Sequence, residues 1–454
     1  MSERDLLSLI GNTPLVEATR LDVGQCRLFL KLESANPGGS IKDRPALTMI
    51  EAFEQEGRLK PGGTIVEATA GNTGLGLALV AALKGYRLIL VIPDKMSREK
   101  VFHLKAMGAE VVMTRSDVGK GHPDYYQDMA ARIAAATPGA VFANQFGNPA
   151  NPLAHENGTA PEIWQQMGHK VDAVVAGVGS GGTLTGISRF FARVSPRTEM
   201  VLADPAGSIL VDVVEGRNPR PAGSWLVEGI GEDFVPPIAD FSRVTRAYSI
   251  GDGEAFAVAR ELLRKEGILA GSSSGTLLAA ALRYCREQTE PKRVVSLVPD
   301  SGNKYLSKMF NDYWMADQGF LTQAQRGDLR DLITRRFDEG GAVTIDPDDT
   351  LNVAYTRMKL YDISQLPVLE RDHPIGVVDE SDLLLAVLGD RARFNDPVRS
   401  AMSHGIETVA VTAKLPEVLA VLNKGFVAVV VDGAHFLGII TRMDVINHLR
   451  MKVD

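Results

Sequence analysis

Val171-Asp172-Ala173-Val174-Val175-Ala176-Gly177-Val178-Gly179-Ser180-Gly181-Gly182-Thr183 decides how this chain folds. Its first six residues read as a strand buried on both faces, and a helical pattern over 183–193 follows directly. Between them, four glycines, Ser180 and Thr183 let backbone N–H groups close around an anion such as a phosphate at the helix start. Outward from this unit the same beat recurs. Strand patterns fall at 63–67, 87–92, 110–114, 140–144, 199–203, 243–249 and 293–298, and helical patterns at 73–83, 97–107, 123–136, 161–167, 253–265 and 275–287. Such alternation predicts an α/β fold of parallel sheets covered on both faces, with ligands where loops leave the carboxyl ends of strands.

Three further stretches carry chemistry. Asn36-Pro37-Gly38-Gly39-Ser40-Ile41-Lys42-Asp43-Arg44 follows a strand pattern over 27–32 and opens an apolar helix. A lysine on such a tight turn is drawn partly out of water, which favours the neutral amine that forms Schiff bases; the plainer alternative is a solvated surface lysine. Glu67-Ala68-Thr69-Ala70-Gly71-Asn72-Thr73-Gly74 joins strand to helix and offers hydroxyls and N–H groups to a carboxylate, or simply caps the helix. Gly271-Ser272-Ser273-Ser274-Gly275 holds three serines where a cap explains one. A rival reading exists for the first loop: Gly177, Gly179 and Gly182 fit a dinucleotide fingerprint, with Asp204 about 20 residues on to take a ribose. An NAD-dependent dehydrogenase gives no reason for the Lys42 turn or the Thr69 loop, however. The Pro- and Gly-rich stretch 203–237 reads as loops covering a cleft.

Composition narrows the class. With 454 residues, 45% of them hydrophobic, the chain can bury more than one core. A formal charge of −7 without a basic block gives no footprint for nucleic acid. Cys26 and Cys285 lack metal-site spacing, so no metal is expected and a reducing cytoplasm fits best. The longest apolar run, around Leu75 to Leu83, is too short to span a bilayer, and residues 1–10 lack the pattern of an export signal, so no membrane partner is expected.

Taken together, Ser8-Leu9-Ile10-Gly11-Asn12-Thr13-Pro14-Leu15, Ser40-Ile41-Lys42-Asp43-Arg44, Thr69 to Gly74 and Gly179 to Thr183 resemble the β-family of pyridoxal-phosphate enzymes, of fold type II, over residues 1–315. The resemblance implies that Lys42 carries pyridoxal 5'-phosphate and acts as the catalytic base. It also implies that Asn72 meets the ring oxygen, Gly179, Ser180, Gly181, Gly182 and Thr183 hold the phosphate, and Ser272 faces the ring nitrogen. A neutral serine there tempers the electron sink, which suits elimination over transamination. Thr69, Ala70, Gly71, Thr73 and Gln145 would hold the substrate carboxylate. The implied reaction is a β-replacement in which serine gives up its hydroxyl to the thiol of homocysteine, with cysteine able to serve and release H2S. The rival pair is O-acetylserine and sulfide. Three positions depart from the family pattern and bear on substrate contact: Ala70 where serine is usual, Phe146 where tyrosine is common, and Glu232 where animal members have tyrosine. The haem-binding segment of the animal members has no counterpart ahead of Leu9, so no haem is expected.

Beyond a polar linker at 316–330 the pattern changes. Gly376-Val-Val-Asp-Glu-Ser-Asp382 recurs at Gly438-Ile-Ile-Thr-Arg-Met-Asp444, an offset of 62 residues shared by the strand patterns upstream. Each copy reads strand, helix, strand, strand, helix, and the pair resembles a tandem CBS-domain module of α+β type, at 331–390 and 391–454. The resemblance implies an adenosyl ligand, S-adenosylmethionine, AMP or ATP, with Asp382 and Asp444 on ribose hydroxyls and Thr441 alongside. The second copy, with its full Thr-x-x-Asp, is expected to be the more competent; a module without a ligand is the alternative. The family pattern further implies a homodimer or larger assembly.

Overall fold

A computed structural model describes residues 5–69, 71–94, 98–119, 121–321 and 326–450. They form two compact units, Met1–Phe310 and Asn311–Asp454. Along the first unit run β1 (Leu15–Glu17), β2 (Arg27–Leu32), α1 (Asp43–Gln55), β3 (Thr64–Glu67), α2 (Asn72–Lys84), β4 (Arg87–Pro93), α3 (Arg98–Ala106), β5 (Glu110–Thr114), α4 (Tyr126–Ala136) and β6 (Ala140–Phe142). Next come α5 (Ala150–Ala154), a π-helical turn (His155–Thr159), α6 (Ala160–Gln166), β7 (Ala173–Gly177), α7 (Gly182–Val194), β8 (Glu199–Pro205) and α8 (Leu210–Val214). The unit closes with β9 (Val244–Ile250), α9 (Asp252–Glu266), α10 (Ser272–Arg286) and β10 (Arg293–Val298).

Two sheets result. One is four-stranded and wholly parallel, in the order β5-β4-β3-β6; the other is six-stranded, β1-β2-β10-β7-β8-β9, parallel except where β1 runs against β2. The apolar runs explain their depth: all four residues of β3 are buried, as are Ala173 to Ala176 of β7 and Val294 to Val298 of β10. Helix α10 is buried along nearly its whole length, because it lies between the sheet and α9; Gly275 meets α9 so closely that a Cβ would stand 2.0 Å from the Ala255 carbonyl oxygen. Strand 140–144 stops at Phe142 because Asn144 takes φ +50°, turning the chain out of the sheet toward Gln145. The stretch 203–237 is mostly irregular and supplies cleft residues from Trp225 to Glu232.

The second unit contains α11 (Asp312–Asp317), α12 (Leu351–Tyr361), β11 (Gln365–Glu370), β12 (His373–Asp379), α13 (Glu380–Val387), β13 (Thr408–Ala410), α14 (Leu415–Asn423), β14 (Ala428–Asp432), β15 (His435–Ile440) and α15 (Arg442–Arg450). The repeat is visible in backbone detail: β11 and β14 each break register against their partner, at Val368/Leu369 and Val430/Val431, the same offset of 62. In the first copy the opening strand shrinks to a single bridge, Ile345 to Val368.

Contacts within this half bear on the expected partition. The break between units falls at Phe310, ahead of the expected 315, and α11 with its buried Met315 belongs to the second unit. Of the supposed linker, 322–325 lie outside the described residues, and Leu329 is buried. Leu329 and Ile333 sit in the core of the second copy, with Val409, Val418 and Ile440, and the Leu329 N–H donates to Val411 O at 3.0 Å. The chain therefore docks on the second copy before it builds the first.

Candidate active site

The loops at the carboxyl ends of β3, β6, β7 and β10 surround a cleft of about 270 Å³ that Lys42 enters from the turn ahead of α1. That turn is pinned from two sides. Ile41 N–H donates to Pro299 O at 2.8 Å, and a Cβ on Gly76 of α2 would stand 2.8 Å from the Lys42 carbonyl oxygen. Gly38 is required as well: Asp43 accepts its N–H at 2.5 Å, and a Cβ there would meet Asp43 Oδ1 at 2.4 Å. Burial pulls the Lys42 amine below the ordinary lysine pKa, with Asp300 and Glu232 opposing. Burial that disfavours the charged amine favours the nucleophilic form that a carbonyl cofactor needs.

The glycine loop beside it is shaped for an anion. Gly179 passes so close to Gly229 that a Cβ would stand 2.5 Å from its carbonyl oxygen, and Gly181 takes φ +92° against Ala239. Gly177, Gly179, Ser180, Gly181 and Thr183 line the cleft, while Gly182 begins α7, whose 13-residue dipole points its positive end at the loop. Two residues that sequence reading passed over brace this loop. Asn151 donates to Ser180 Oγ at 3.0 Å and to Gln145 O at 2.8 Å, and a Cβ on Gly182 would meet its side chain. His155, held well below the ordinary histidine pKa by burial, bonds Thr183 Oγ1 through Nε2 at 3.3 Å and Thr159 through Nδ1 at 2.9 Å.

Across the cleft, Thr69, Gly71, Asn72, Thr73 and Gln145 come together; Ala70 lies outside the described residues. Gly71 N–H donates to Thr69 Oγ1 at 3.2 Å, and Thr73 Oγ1 donates to Gln145 Oε1 at 2.7 Å. Beneath them the buried Glu67 accepts N–H groups of Ala68 at 2.7 Å and Gln145 at 3.0 Å, and burial raises its pKa to about 7. Asn72 is held at both ends: its Nδ2 donates to Asp300 Oδ2 at 2.8 Å and its Oδ1 accepts from Lys304. Phe146 also lines the cleft, its ring 5.6 Å from that of Phe234.

Ser272 is not among the residues that line the cleft. Its hydroxyl accepts the Glu228 N–H at 3.0 Å, and the serine of this run that lines the cleft is Ser273. Residues one apart on a helix point about 100° apart, which here turns Ser272 to the Glu228 N–H and Ser273 to the cleft. Glu232 was marked only as a departure, yet it lines the cleft, half-buried, and burial with the neighbouring Asp233 and Asp204 lifts its pKa to about 8. The dinucleotide reading fails at Asp204. That carboxylate is buried, accepts the Val211 N–H at 3.3 Å, and is raised to about 7 by desolvation, so it does not reach out to a ribose.

In the second unit, Asp444 lines a cavity of about 680 Å³ with Thr334, Thr412 and His448. Its carboxylate accepts the hydroxyl of Thr334 and, at 2.5 Å, that of Thr441. Asp382, its counterpart, is engaged at the start of α13, exchanging N–H bonds with Asp379 at 2.8 and 3.0 Å.

Two family models match the chain. Residues 6–300 match the family of pyridoxal-phosphate dependent enzymes, and residues 329–389 and 398–451 each match a CBS domain. The chain is 36% identical to cystathionine beta-synthase of Apis mellifera, over 98% of this chain and 90% of that protein. It is 39% identical to the Rattus norvegicus protein of the same name over 94% of this chain and 77% of the other, and 35% identical to that of Saccharomyces cerevisiae over 99% and 98%. Among solved structures, a hydrogen sulfide-producing enzyme from Fusobacterium nucleatum superposes with a TM-score of 0.62 at 37% identity, covering 67% of this chain and 99% of that one.

Proposed function

We infer the substrates of a chain that belongs to the cystathionine β-synthase family of pyridoxal-phosphate-dependent enzymes and performs β-replacement: serine, which loses its hydroxyl, and homocysteine, whose thiol replaces it to give cystathionine. The observation that carries this reading is Glu232. Hydroxide is a poor leaving group and needs a proton, whereas acetate leaves unaided; a cleft carboxyl with a pKa of about 8 holds that proton at neutral pH.

Bound pyridoxal phosphate supplies an electron sink for the pair left when the substrate's α-proton departs. The chain's own groups do the rest. Lys42 would hold the cofactor and, once released, take the α-proton and return it to the α-carbon after the carbon–sulfur bond has formed. Thr69 to Thr73 and Gln145 would orient the carboxylate, Asn72 the ring oxygen, Ser273 the ring nitrogen, and the loop from Gly179 to Thr183 the phosphate. Protonated Glu232 would give its proton to the departing hydroxyl, so that water leaves, and as carboxylate would then take the proton of the homocysteine thiol as the carbon–sulfur bond forms. Cysteine as first substrate would release sulfide by the same course, in keeping with the hydrogen sulfide-producing neighbour. Steady-state kinetics with serine and homocysteine against O-acetylserine and sulfide test the reading; a strong preference for the second pair would make this a cysteine synthase.

The second unit would be a regulatory module. Its cavity at Asp444 is the seat we assign to an adenosyl compound, with the site at Asp382 the weaker. A homodimer or larger assembly accounts for exposed apolar side chains on its helices, Leu384 and Leu385 on α13 and Met443 and Ile446 on α15. Cys26 and Cys285 are buried reduced thiols, which suits a cytoplasmic protein. Among the described residues no helix is long and apolar enough to cross a membrane.

A further inference from the structure

Beside the cleft lies a second cavity of about 440 Å³, a volume within the range of about 300–1,000 Å³ usual for small-molecule pockets. The two share Gly71, Asn72, Glu228 and Gly229, so the second opens on the side where Asn72 stands. Its charge is unlike that of the cleft. Lys100, Lys304 and Lys308 line it against one carboxylate, Glu228, three formal positive charges against one negative. Lys100 and Lys308 both grip Glu228, the latter at 2.7 Å, and each ammonium keeps further N–H donors for a ligand. Lys304 gives one N–H to Asn72 and is half-buried; burial lowers its pKa, opposed by Asp300 and Asp43, and an anion bound beside it would favour the charged form.

We propose that this cavity seats the amino-acid head of the second substrate, the thiol, with its carboxylate among Lys100, Lys304 and Lys308 and its ammonium at Glu228. The proposal rests on the β-replacement reading above. That reading gives the first substrate's carboxylate to Thr69, Thr73 and Gln145, which line the cleft and not this cavity, so a second zwitterion needs an anion site of its own, and sulfide needs none. The cavity thus selects an amino-acid thiol over sulfide as the nucleophile.

The test uses the full-length holoenzyme with Lys308→Gln and, separately, Lys100→Gln. Homocysteine is compared with 2-mercaptoethanol, a thiol without a charged head, and exchange of the serine α-proton with solvent deuterium is followed without any thiol. The expected result is a KM for homocysteine raised about tenfold or more in each variant, while that for 2-mercaptoethanol moves less than about twofold. Equal shifts for both thiols, or none for either, would overturn the proposal. Absence of α-proton exchange in the wild type would instead overturn the reaction reading on which it depends.

Discussion

Asn72 Nδ2 donates to Asp300 Oδ2 across 2.8 Å, tying the start of α2 to the loop after β10 across 228 residues of chain. Tyr305 OH donates to the same oxygen at 2.9 Å, and Asp300 is fully enclosed. Asp300→Ala would leave the buried Tyr305 hydroxyl unanswered, at about 1–3 kcal/mol, and the half-buried Asn72 amide without its anchor. We expect kcat/KM for serine to fall about 10- to 100-fold with the fold retained by circular dichroism. An unchanged kcat/KM would mean that Asn72 needs no anchor.

Glu232 sets a pH dependence. Its acid form prevails below its pKa of about 8. Turnover of serine should therefore decline as pH rises through that value. Turnover of O-acetylserine, whose acetate needs no proton, should not decline there. Glu232→Gln should depress serine turnover about 100-fold or more and spare O-acetylserine, in line with the usual worth of a general acid. Parallel pH profiles for the two substrates would remove Glu232 from the chemistry.

Glu67 links pH to stability. Its folded pKa is about 7 against an ordinary value of 4.5, so below 4.5 both states hold the proton and above it only the unfolded chain gives the proton up. Stability is thus greatest at the acid end of this window and is lost as pH rises to about 7, by about 3 kcal/mol in all. In urea unfolding, Glu67→Gln should flatten this slope. A variant as steep as the wild type would contradict the buried-carboxyl account.

The alternation of buried apolar strands and helices was legible from one end of the first unit to the other, because a parallel sheet covered on both faces writes itself as runs of Val, Ile and Leu. Lys42, Asn72, Gln145 and the loop from Gly179 to Thr183 were legible for a related reason: glycines and hydroxyls concentrate where strands hand over to helices. What stayed hidden depended on phase or on distant partners. A run of three serines does not say which one the helix turns toward the cleft; in α10 it is Ser273 that lines the cleft. Asp204 had the right spacing for a ribose ligand and the wrong burial. The raised pKa of Glu232 comes from its burial and then from Asp233 and Asp204 nearby, and the docking of Leu329 on the second copy comes from contacts with Val409 and Ile440, none of which a local pattern records.

Asp444 carries the regulatory reading. Calorimetry with S-adenosylmethionine, AMP and ATP should show one of them binding the intact protein, and Asp444→Ala should weaken that binding by at least about tenfold through loss of hydrogen bonds to a charged acceptor. Asp382→Ala should change it far less. If none of the three binds, the module is a structural or assembly unit.

The most direct measurement is borohydride reduction of the purified protein followed by peptide mass spectrometry. Reduction fixes pyridoxal phosphate to whichever lysine bears it, and the account predicts a single labelled peptide spanning Ser40 to Arg44 with the cofactor's mass on Lys42. Lys42→Ala should fold and give no labelled peptide. Label on another lysine, or none in the wild type, would contradict the assignment of this cleft as the catalytic centre.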